Sequence, residues 1–234
     1  SISPESFYLT GTTVMASNLT IPSALIADIG GTNARFALVD AHHQFYAERI
    51  LACADFSGLT AATEAYLAEV ATPRPRQAAM AVATPVTGDS VRFTNNTWSF
   101  STEAARQELG LERLLILNDF TALALALPLL NPDERRAVGG GVVVAEAPIG
   151  LLGAGTGLGV SGLVWSGTRW VPLQTEGGHV TFSASGEREW AINRILQRQF
   201  GHVSPERLLS GPGLVNLYRA GGGGRLVGGK PAAR

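Results

Sequence analysis

Two stretches of the chain share one pattern, in which a polar turn rich in glycine separates two short runs of mostly apolar residues. The first turn is Gly30-Gly31-Thr32-Asn33 and the second is Gly155-Thr156-Gly157. Apolar runs of this length on both sides of a glycine turn are typical of two strands joined in a hairpin. The recurrence of the hairpin indicates an internal duplication of the chain.

The residues around the first hairpin predict alternating strands and helices. The predicted strands cover residues 24–29, 35–39, 45–52, 78–83 and 114–117. Three helices are predicted from apolar residues at helical spacing. The first is capped by Ser57 and ends before Pro73, and the second is capped by Ser101 and ends at Gly110. The third covers residues 120–127. Strands that alternate with helices favour an α/β fold whose mixed sheet is covered on both faces.

The second half of the chain predicts a similar opening, starting at Ile149 with the second hairpin and a third strand at residues 169–173. One helix is predicted at residues 187–200, and a second begins after a cap at Ser204. A glycine-proline break at residues 211–213 separates this second helix from a third at residues 214–220. The predicted organisation is an N-terminal arm (1–23), a small α/β domain (24–130), a connection (131–148), the start of a large α/β domain (149–220) and a glycine-rich tail (221–234).

Composition narrows the class of partner. Hydrophobic residues make up 45% of the 234 residues, which is enough for a sizeable core. A formal net charge of -1, with no basic cluster, argues against nucleic acid or a membrane surface and favours a small metabolite. No apolar run approaches the roughly 18 residues that span a bilayer. The single cysteine, Cys53, excludes an internal disulfide and a cysteine-based zinc site, as expected for a cytoplasmic protein.

The two turns are candidate phosphate sites. Glycine has no Cβ, so backbone N–H groups in such turns can approach phosphate oxygens, and Asp28 just before the first turn offers a carboxylate to a hydrated Mg²⁺. The alternative is an ordinary tight hairpin in which Asp28 is buried by a local hydrogen bond. The second turn fails the dinucleotide pattern G-x-G-x-x-G in every register, and no Gly-Lys-Ser/Thr follows it, so a P-loop is excluded as well.

Two further sites carry candidate chemistry. Asn118 and Asp119 follow a buried strand, at the edge where open α/β sheets bind ligands. One of the two is expected to cap the next helix, which leaves the other free, and a free carboxylate there is a reasonable general base for a hydroxyl. Glu176 and His179 flank two glycines in a loop and suit the paired donors and acceptors of vicinal sugar hydroxyls, although a plain glycine turn with an exposed Glu and His is the simpler alternative.

Taken together and in this order, the motifs resemble those of the bacterial glucokinases, a family of the sugar-kinase, Hsp70 and actin superfamily. The resemblance rests on residues 28–35, 84–89, 94–98, 118–122, 153–159, 176–179 and 204–213. It implies a duplicated actin-like (ribonuclease H-like) fold of two α/β domains with a central cleft. It also implies a cytoplasmic enzyme that uses ATP and Mg²⁺ to phosphorylate glucose, and it allows a homodimer.

The resemblance implies a role for each matching residue. Asp119 would be the catalytic base that takes the proton from the sugar 6-hydroxyl. The sugar would be held by Asn95, Asn118, Glu176, His179 and Glu206. The ATP phosphates would lie between the two turns, against Gly30, Gly31, Thr32 and Asn33 on one side and Gly155, Thr156 and Gly157 on the other, with Asp28 holding Mg²⁺ through a water molecule.

One departure from the family leaves rival interpretations open. The C-terminal third of the family, which carries a glycine-rich adenosine-binding segment, has no counterpart after Ala220, so the second domain is expected to be incomplete. The leading alternative function is therefore a truncated, non-catalytic sugar-binding relative that lacks the adenosine site. A sugar-responsive transcription regulator of the same superfamily would need a helix-turn-helix module, which the first 23 residues do not predict.

Overall fold

A computed structural model of the protein describes residues 22–70, 73–94 and 96–222. Within those residues the chain forms ten strands and six α-helices in an alternating α/β order. Their contacts divide the chain into two compact units: the described part of residues 1–80 with 86–116, and residues 81–85 with the described residues from 117 onward. The domain boundaries predicted from the sequence at residues 130 and 149 stay a prediction.

The first unit is built on a five-stranded sheet of order β3-β2-β1-β4-β7, accompanied by a separate two-stranded pair, β5-β6. Strands β1 and β2 form the first hairpin, and β2 pairs antiparallel with β3. The last residues of β4 and β7 pass into the second unit. The strands are β1 (Ala24–Ile29), β2 (Asn33–Val39), β3 (Phe45–Ala52), β4 (Gln77–Val82), β5 (Ser90–Arg92), β6 (Ser99–Ser101) and β7 (Arg113–Asn118), and the helices are α1 (Leu59–Val70) and α2 (Thr102–Glu108).

Most predicted elements of this unit are confirmed, and their errors lie at the ends. Strands β1 and β3 match the prediction to the residue, β2 begins two residues earlier and β4 is shifted by one. The predicted cap of α1 at Ser57 is wrong, because the helix begins at Leu59 and Ala62 N–H donates to the Gly58 carbonyl at 3.1 Å. Strands β5 and β6 were not predicted; each has only three residues, too few to show an alternating pattern.

Helix α1 covers the sheet through Tyr66, which is fully buried. Its ring stacks on Phe36 of β2 with 5.0 Å between ring centroids, and its hydroxyl donates to the Ala47 carbonyl at 2.9 Å. Burial raises the pKa of Tyr66 to about 12, so the phenol stays protonated and keeps this hydrogen bond at any ordinary pH. Helix α1 thereby packs against the second strand of the first hairpin.

The beginning of α2 is fixed by a network of polar side chains. Ser101 caps the helix as predicted, since its hydroxyl oxygen accepts from Ala104 N–H at 3.1 Å. Asp89 in turn accepts from the Ser101 hydroxyl at 2.6 Å and from Glu103 N–H at 2.9 Å. The conspicuous Asp89 at the end of the 84–89 motif therefore anchors a helix.

Glu103 is expected to stabilise the fold at neutral pH and to lose this contribution as the pH falls. Hydrogen bonds from Arg106 and then Gln107 lower the pKa of Glu103 from 4.5 to about 2. A lowered folded-state pKa adds stability that is present above the unfolded value and is lost as the pH falls through the folded value. In urea titrations between about pH 6 and about pH 3, Glu103→Gln should therefore flatten the decline in unfolding free energy. The control is Glu108→Gln, which removes another exposed carboxylate of α2; equal slopes in all three proteins would contradict the assignment.

The second unit contains a three-stranded antiparallel sheet of order β10-β9-β8, in which β8 and β9 form the second hairpin. This opening repeats the arrangement of β1, β2 and β3, as the predicted duplication requires. The strands are β8 (Ile149–Ala154), β9 (Leu158–Trp165) and β10 (Trp170–Gln174), and the helices are α3 (Asp119–Ala126), α4 (Gly186–Phe200), α5 (Glu206–Leu209) and α6 (Gly211–Ala220).

Two predictions at the end of this unit need correction. The predicted break at residues 211–213 is instead the first turn of α6, and Ser210 caps that helix by accepting from Gly213 N–H at 3.0 Å. The predicted cap of α5 at Ser204 is wrong, since the residue before the helix is Pro205. The helices pack around the buried Leu196, Val203 and Leu208. Within the described ranges, no helix is long and apolar enough to span a membrane.

Candidate active site

The first turn is closed by backbone hydrogen bonds. Gly30 N–H donates to the Asn33 carbonyl at 2.9 Å, and Cys53 N–H donates to the Thr32 carbonyl at 2.8 Å. The Cys53 side chain is buried beneath the turn with its sulfur 3.6 Å from the Gly30 carbonyl oxygen, and burial raises the pKa of its thiol. Cys53, which the sequence offered only as evidence against a disulfide and a cysteine-based zinc site, thus supports this turn.

Asp28 lies directly before the first turn and is paired with Arg35 on the opposite strand. The Arg35 guanidinium lies 3.0 Å from the Asp28 carboxylate, and each side chain is more than half exposed. Asp28 therefore has a local hydrogen-bond partner, as an ordinary tight hairpin would give it, but it is not buried. Among the described residues, no group of three or more His, Cys, Asp or Glu side chains could hold a metal ion. Mg²⁺ in nucleotide sites keeps several waters and uses one or two carboxylates together with phosphates, and the exposed, Arg35-paired carboxylate of Asp28 fits that mode.

The loop that carries the predicted Asn95 is described only around it, because Asn95 itself lies outside the described residues. Asn96 accepts from Trp98 N–H at 2.8 Å, and Trp98 is buried with its indole N–H donating to the Phe56 carbonyl at 3.2 Å. The buried amide nitrogen of Asn96 has no acceptor among the described residues. A water or ligand oxygen would satisfy that donor.

Asn118 and Asp119 divide their roles at the start of α3. Asn118 is the cap, since its side-chain oxygen accepts from the N–H groups of Phe120 at 3.0 Å and Thr121 at 3.3 Å. Its amide nitrogen donates to the Thr84 carbonyl at 3.3 Å and to Asp119 Oδ1 at 2.9 Å. Asp119 Oδ1 also accepts from Phe120 N–H at 2.8 Å. The half-buried carboxylate of Asp119 is therefore held in one orientation by its neighbours.

Phe120 attaches this segment to the second hairpin. A Cβ added to Gly153 would lie 2.5 Å from the Phe120 ring, and one added to Gly159 would overlap the same ring. The two glycines face each other across β8 and β9, so together they form a recess for the ring. Sequence reasoning missed Phe120 as a positioning residue, although two glycines at paired strand positions are a signal that something packs closely there.

The loop with Glu176 and His179 lies against β9 in a way that only glycine permits. A Cβ on Gly177 would come within 2.8 Å of the Val160 side chain, and one on Gly178 would overlap the Leu158 carbonyl. The Thr175 hydroxyl adds a hydrogen bond to the Val160 carbonyl at 2.8 Å. Gly177–His179 form a single 3₁₀ turn.

Three of the predicted sugar-binding side chains come together. His179 Nδ1 lies 3.7 Å from Glu206 Oε1, and His179 Nε2 lies 3.9 Å from Glu176 Oε2. These separations are too long for hydrogen bonds, so the facing polar atoms keep capacity for a ligand between or beside them. Glu176 and His179 are more than half exposed, whereas Glu206 is 27% exposed. The result is a partly open cluster that offers carboxylate acceptors and an imidazole.

The second turn is fastened to the helices that follow this cluster. Gly155 N–H donates to the Gly157 carbonyl at 2.8 Å, which closes the turn, and the Gly155 carbonyl accepts from Gly211 N–H at 2.8 Å. Leu158 N–H donates to Glu206 Oε2 at 2.9 Å. Thr156 at the tip is exposed. The second predicted phosphate turn and the predicted sugar cluster are therefore neighbours within one unit.

The family model for glucokinase matches residues 25–223, which includes every site residue described above. The chain belongs to the glucokinase family. Glucokinase of Aromatoleum aromaticum is 54% identical to it over 198 residues, covering 84% of this chain and 60% of that protein. Glucokinase of Paramagnetospirillum magneticum is 51% identical over 198 residues, covering 84% of this chain and 62% of that protein. The chain thus spans less than two thirds of the length of these curated relatives.

A solved structure supports the same assignment. The crystal structure of glucokinase from an Antarctic psychrotroph is 36% identical, with a TM-score of 0.76 over 88% of this chain and 66% of that one. The predicted α/β fold of the actin-like sugar kinases is therefore confirmed. The roles of the individual site residues in this member of the glucokinase family stay predictions, and they enter the proposal below.

Proposed function

We propose that the protein transfers the γ-phosphoryl group of ATP to the 6-hydroxyl of glucose, as the names of its relatives suggest. The observation that carries the proposal is the cluster of Glu176, His179 and Glu206 beside the second phosphate turn. Vicinal sugar hydroxyls need donors and acceptors at several points, and this cluster offers both. A glycine-rich turn with an exposed tip next to it suits a phosphate chain.

In the proposed reaction Asp119 is the general base. Its carboxylate takes the proton of the sugar hydroxyl as that oxygen forms a bond to the γ-phosphorus, while the bond from this phosphorus to the bridging oxygen of ADP breaks. The hydrogen bonds from Asn118 and Phe120 N–H to Oδ1 fix the carboxylate, because a base must be held within reach of the proton it removes. Phosphoryl transfer asks little more of a protein than such positioning and charge stabilisation.

The remaining site residues have supporting roles in the proposal. Asn118 and Asn95, with the cluster above, would hold the other sugar hydroxyls. The two turns, with Gly30, Gly31, Thr32 and Asn33 and with Gly155, Thr156 and Gly157, would bind the phosphates. Mg²⁺ carried by the nucleotide would neutralise phosphate charge, and Asp28 would hold it through a water molecule. We place the reaction in the cytoplasm; the homodimer stays a prediction.

The test separates phosphoryl transfer from sugar binding alone. Titration calorimetry with glucose measures binding, and a coupled assay measures formation of glucose 6-phosphate when ATP and Mg²⁺ are added. We expect saturable glucose binding and glucose-dependent ADP formation. Glucose binding without ADP formation would support the alternative of a non-catalytic sugar-binding protein, and absence of both would overturn the proposed function.

A further inference from the structure

Glu206 contacts both halves of the candidate site. One carboxylate oxygen, Oε2, accepts the N–H of Leu158, the residue that follows the second turn. The other oxygen, Oε1, lies 3.7 Å from His179 in the sugar cluster. Leu158 and Glu206 are 48 residues apart in the chain, so this contact exists only because α5 folds back onto the hairpin.

The glycine at the end of the turn makes room for the same carboxylate. A Cβ on Gly157 would lie 2.6 Å from Glu206 Oε2, whereas a Cβ on Gly150 in β8 of the same hairpin would meet no atom of the described residues within 4 Å. Neither glycine has a left-handed backbone conformation, so alanine is tolerated by the backbone at both positions. Among the described residues, the group that restricts residue 157 is the end of the Glu206 side chain, which is flexible and would move first.

We propose that Glu206 is a positioning residue that links the phosphate turn to the sugar cluster. Binding of a sugar hydroxyl to Oε1 would fix the carboxylate, and Oε2 would then hold Leu158 N–H and the end of the turn in place. Conversely, a change in the turn that displaces Oε2 would disturb the sugar cluster. The inference rests on the proposed function, because it takes the ligand of the cluster to be glucose.

Coupling between two parts of a site acts in both directions. A change in the second turn, which is not part of the sugar cluster, should therefore alter the affinity for glucose. Gly157→Ala should weaken glucose binding by at least ~5-fold in calorimetry without nucleotide, which is the lower end of typical coupling. Gly150→Ala is the matched control: it adds the same methyl group to the same hairpin, outside the turn, and leaves Glu206 undisturbed, so its dissociation constant for glucose should match the wild type. Amide hydrogen exchange at Leu158 should become faster in Gly157→Ala and in Glu206→Ala.

A double-mutant cycle shows whether the effect passes through Glu206. In a Glu206→Ala background, Gly157→Ala should change glucose affinity by less than about twofold, because the group it displaces is gone. A full Gly157→Ala effect in that background, or equal effects of the two glycine variants, would overturn the link and leave the proposed function standing. A wild-type protein that binds no glucose would overturn both.

Discussion

Replacement of Asp119 by Asn is expected to lower kcat for glucose phosphorylation by at least ~10²-fold, because general-base catalysis contributes about that much. Asparagine keeps the size of the side chain and an oxygen that can accept from Phe120 N–H, which now donates to Asp119 Oδ1 at 2.8 Å. It cannot take the proton of the attacking hydroxyl. The dissociation constant for glucose should stay within a few-fold of the wild type, so the loss should appear almost entirely in kcat.

The control for this variant is Asp133→Asn, which removes an exposed carboxylate of the same unit. Its kcat and glucose affinity should equal those of the wild type. The pair is compared by coupled spectrophotometric assay and by calorimetry on the same preparations. Turnover retained in Asp119→Asn would move the base to another residue, and glucose binding lost together with turnover would make Asp119 a binding residue.

Replacement of Gly178 by Ala is expected to abolish most glucose binding. The added methyl group would overlap the Leu158 carbonyl. That carbonyl belongs to the backbone at the start of β9, so it cannot move without disturbing the hairpin. The loop must instead move away from β9 and carry Glu176 and His179 with it. Leaving polar groups unpaired costs about 1 to 3 kcal/mol, which is roughly 5- to 150-fold in a dissociation constant, and we expect an affinity loss in that range.

Gly150→Ala is the matched control for Gly178→Ala, because it places the same methyl group in β8 where no atom of residues 22–70, 73–94 and 96–222 lies within 4 Å. Its glucose affinity and its melting temperature should stay close to those of the wild type. Far-ultraviolet circular dichroism of both variants shows whether the second unit remains folded. Wild-type glucose affinity in a folded Gly178→Ala would contradict the placement of this loop in the sugar site.

The sequence predicted the strands and both hairpins because their signals are local. An apolar run that stops at a glycine turn marks the end of a strand, and β1 was predicted to the residue for that reason. The strands β5 and β6 were missed because three residues carry no period. The caps at Ser57 and Ser204 were misplaced because several nearby residues can precede a helix and only the folded backbone selects one.

The arrangement at residues 118 and 119 shows the same division. The sequence indicated that one residue would cap α3 and the other would remain as a candidate base, but it could not choose between them. The structure makes Asn118 the cap, with Asp119 as the first residue of the helix. The next residue, Phe120, packs against Gly153 and Gly159. No local sequence pattern connects Phe120 to those two glycines.

The sequence by itself therefore determined most of the longer elements, the two turns and the identity of the candidate side chains, since each depends on neighbours within a few positions. Only the tertiary structure decided that Glu206 joins His179 and Glu176, and that its second oxygen holds the end of the second turn. Those contacts connect residues about 30 to 50 positions apart, and no periodicity reaches so far. They arise when α5 and the glycine loop pack against the same hairpin.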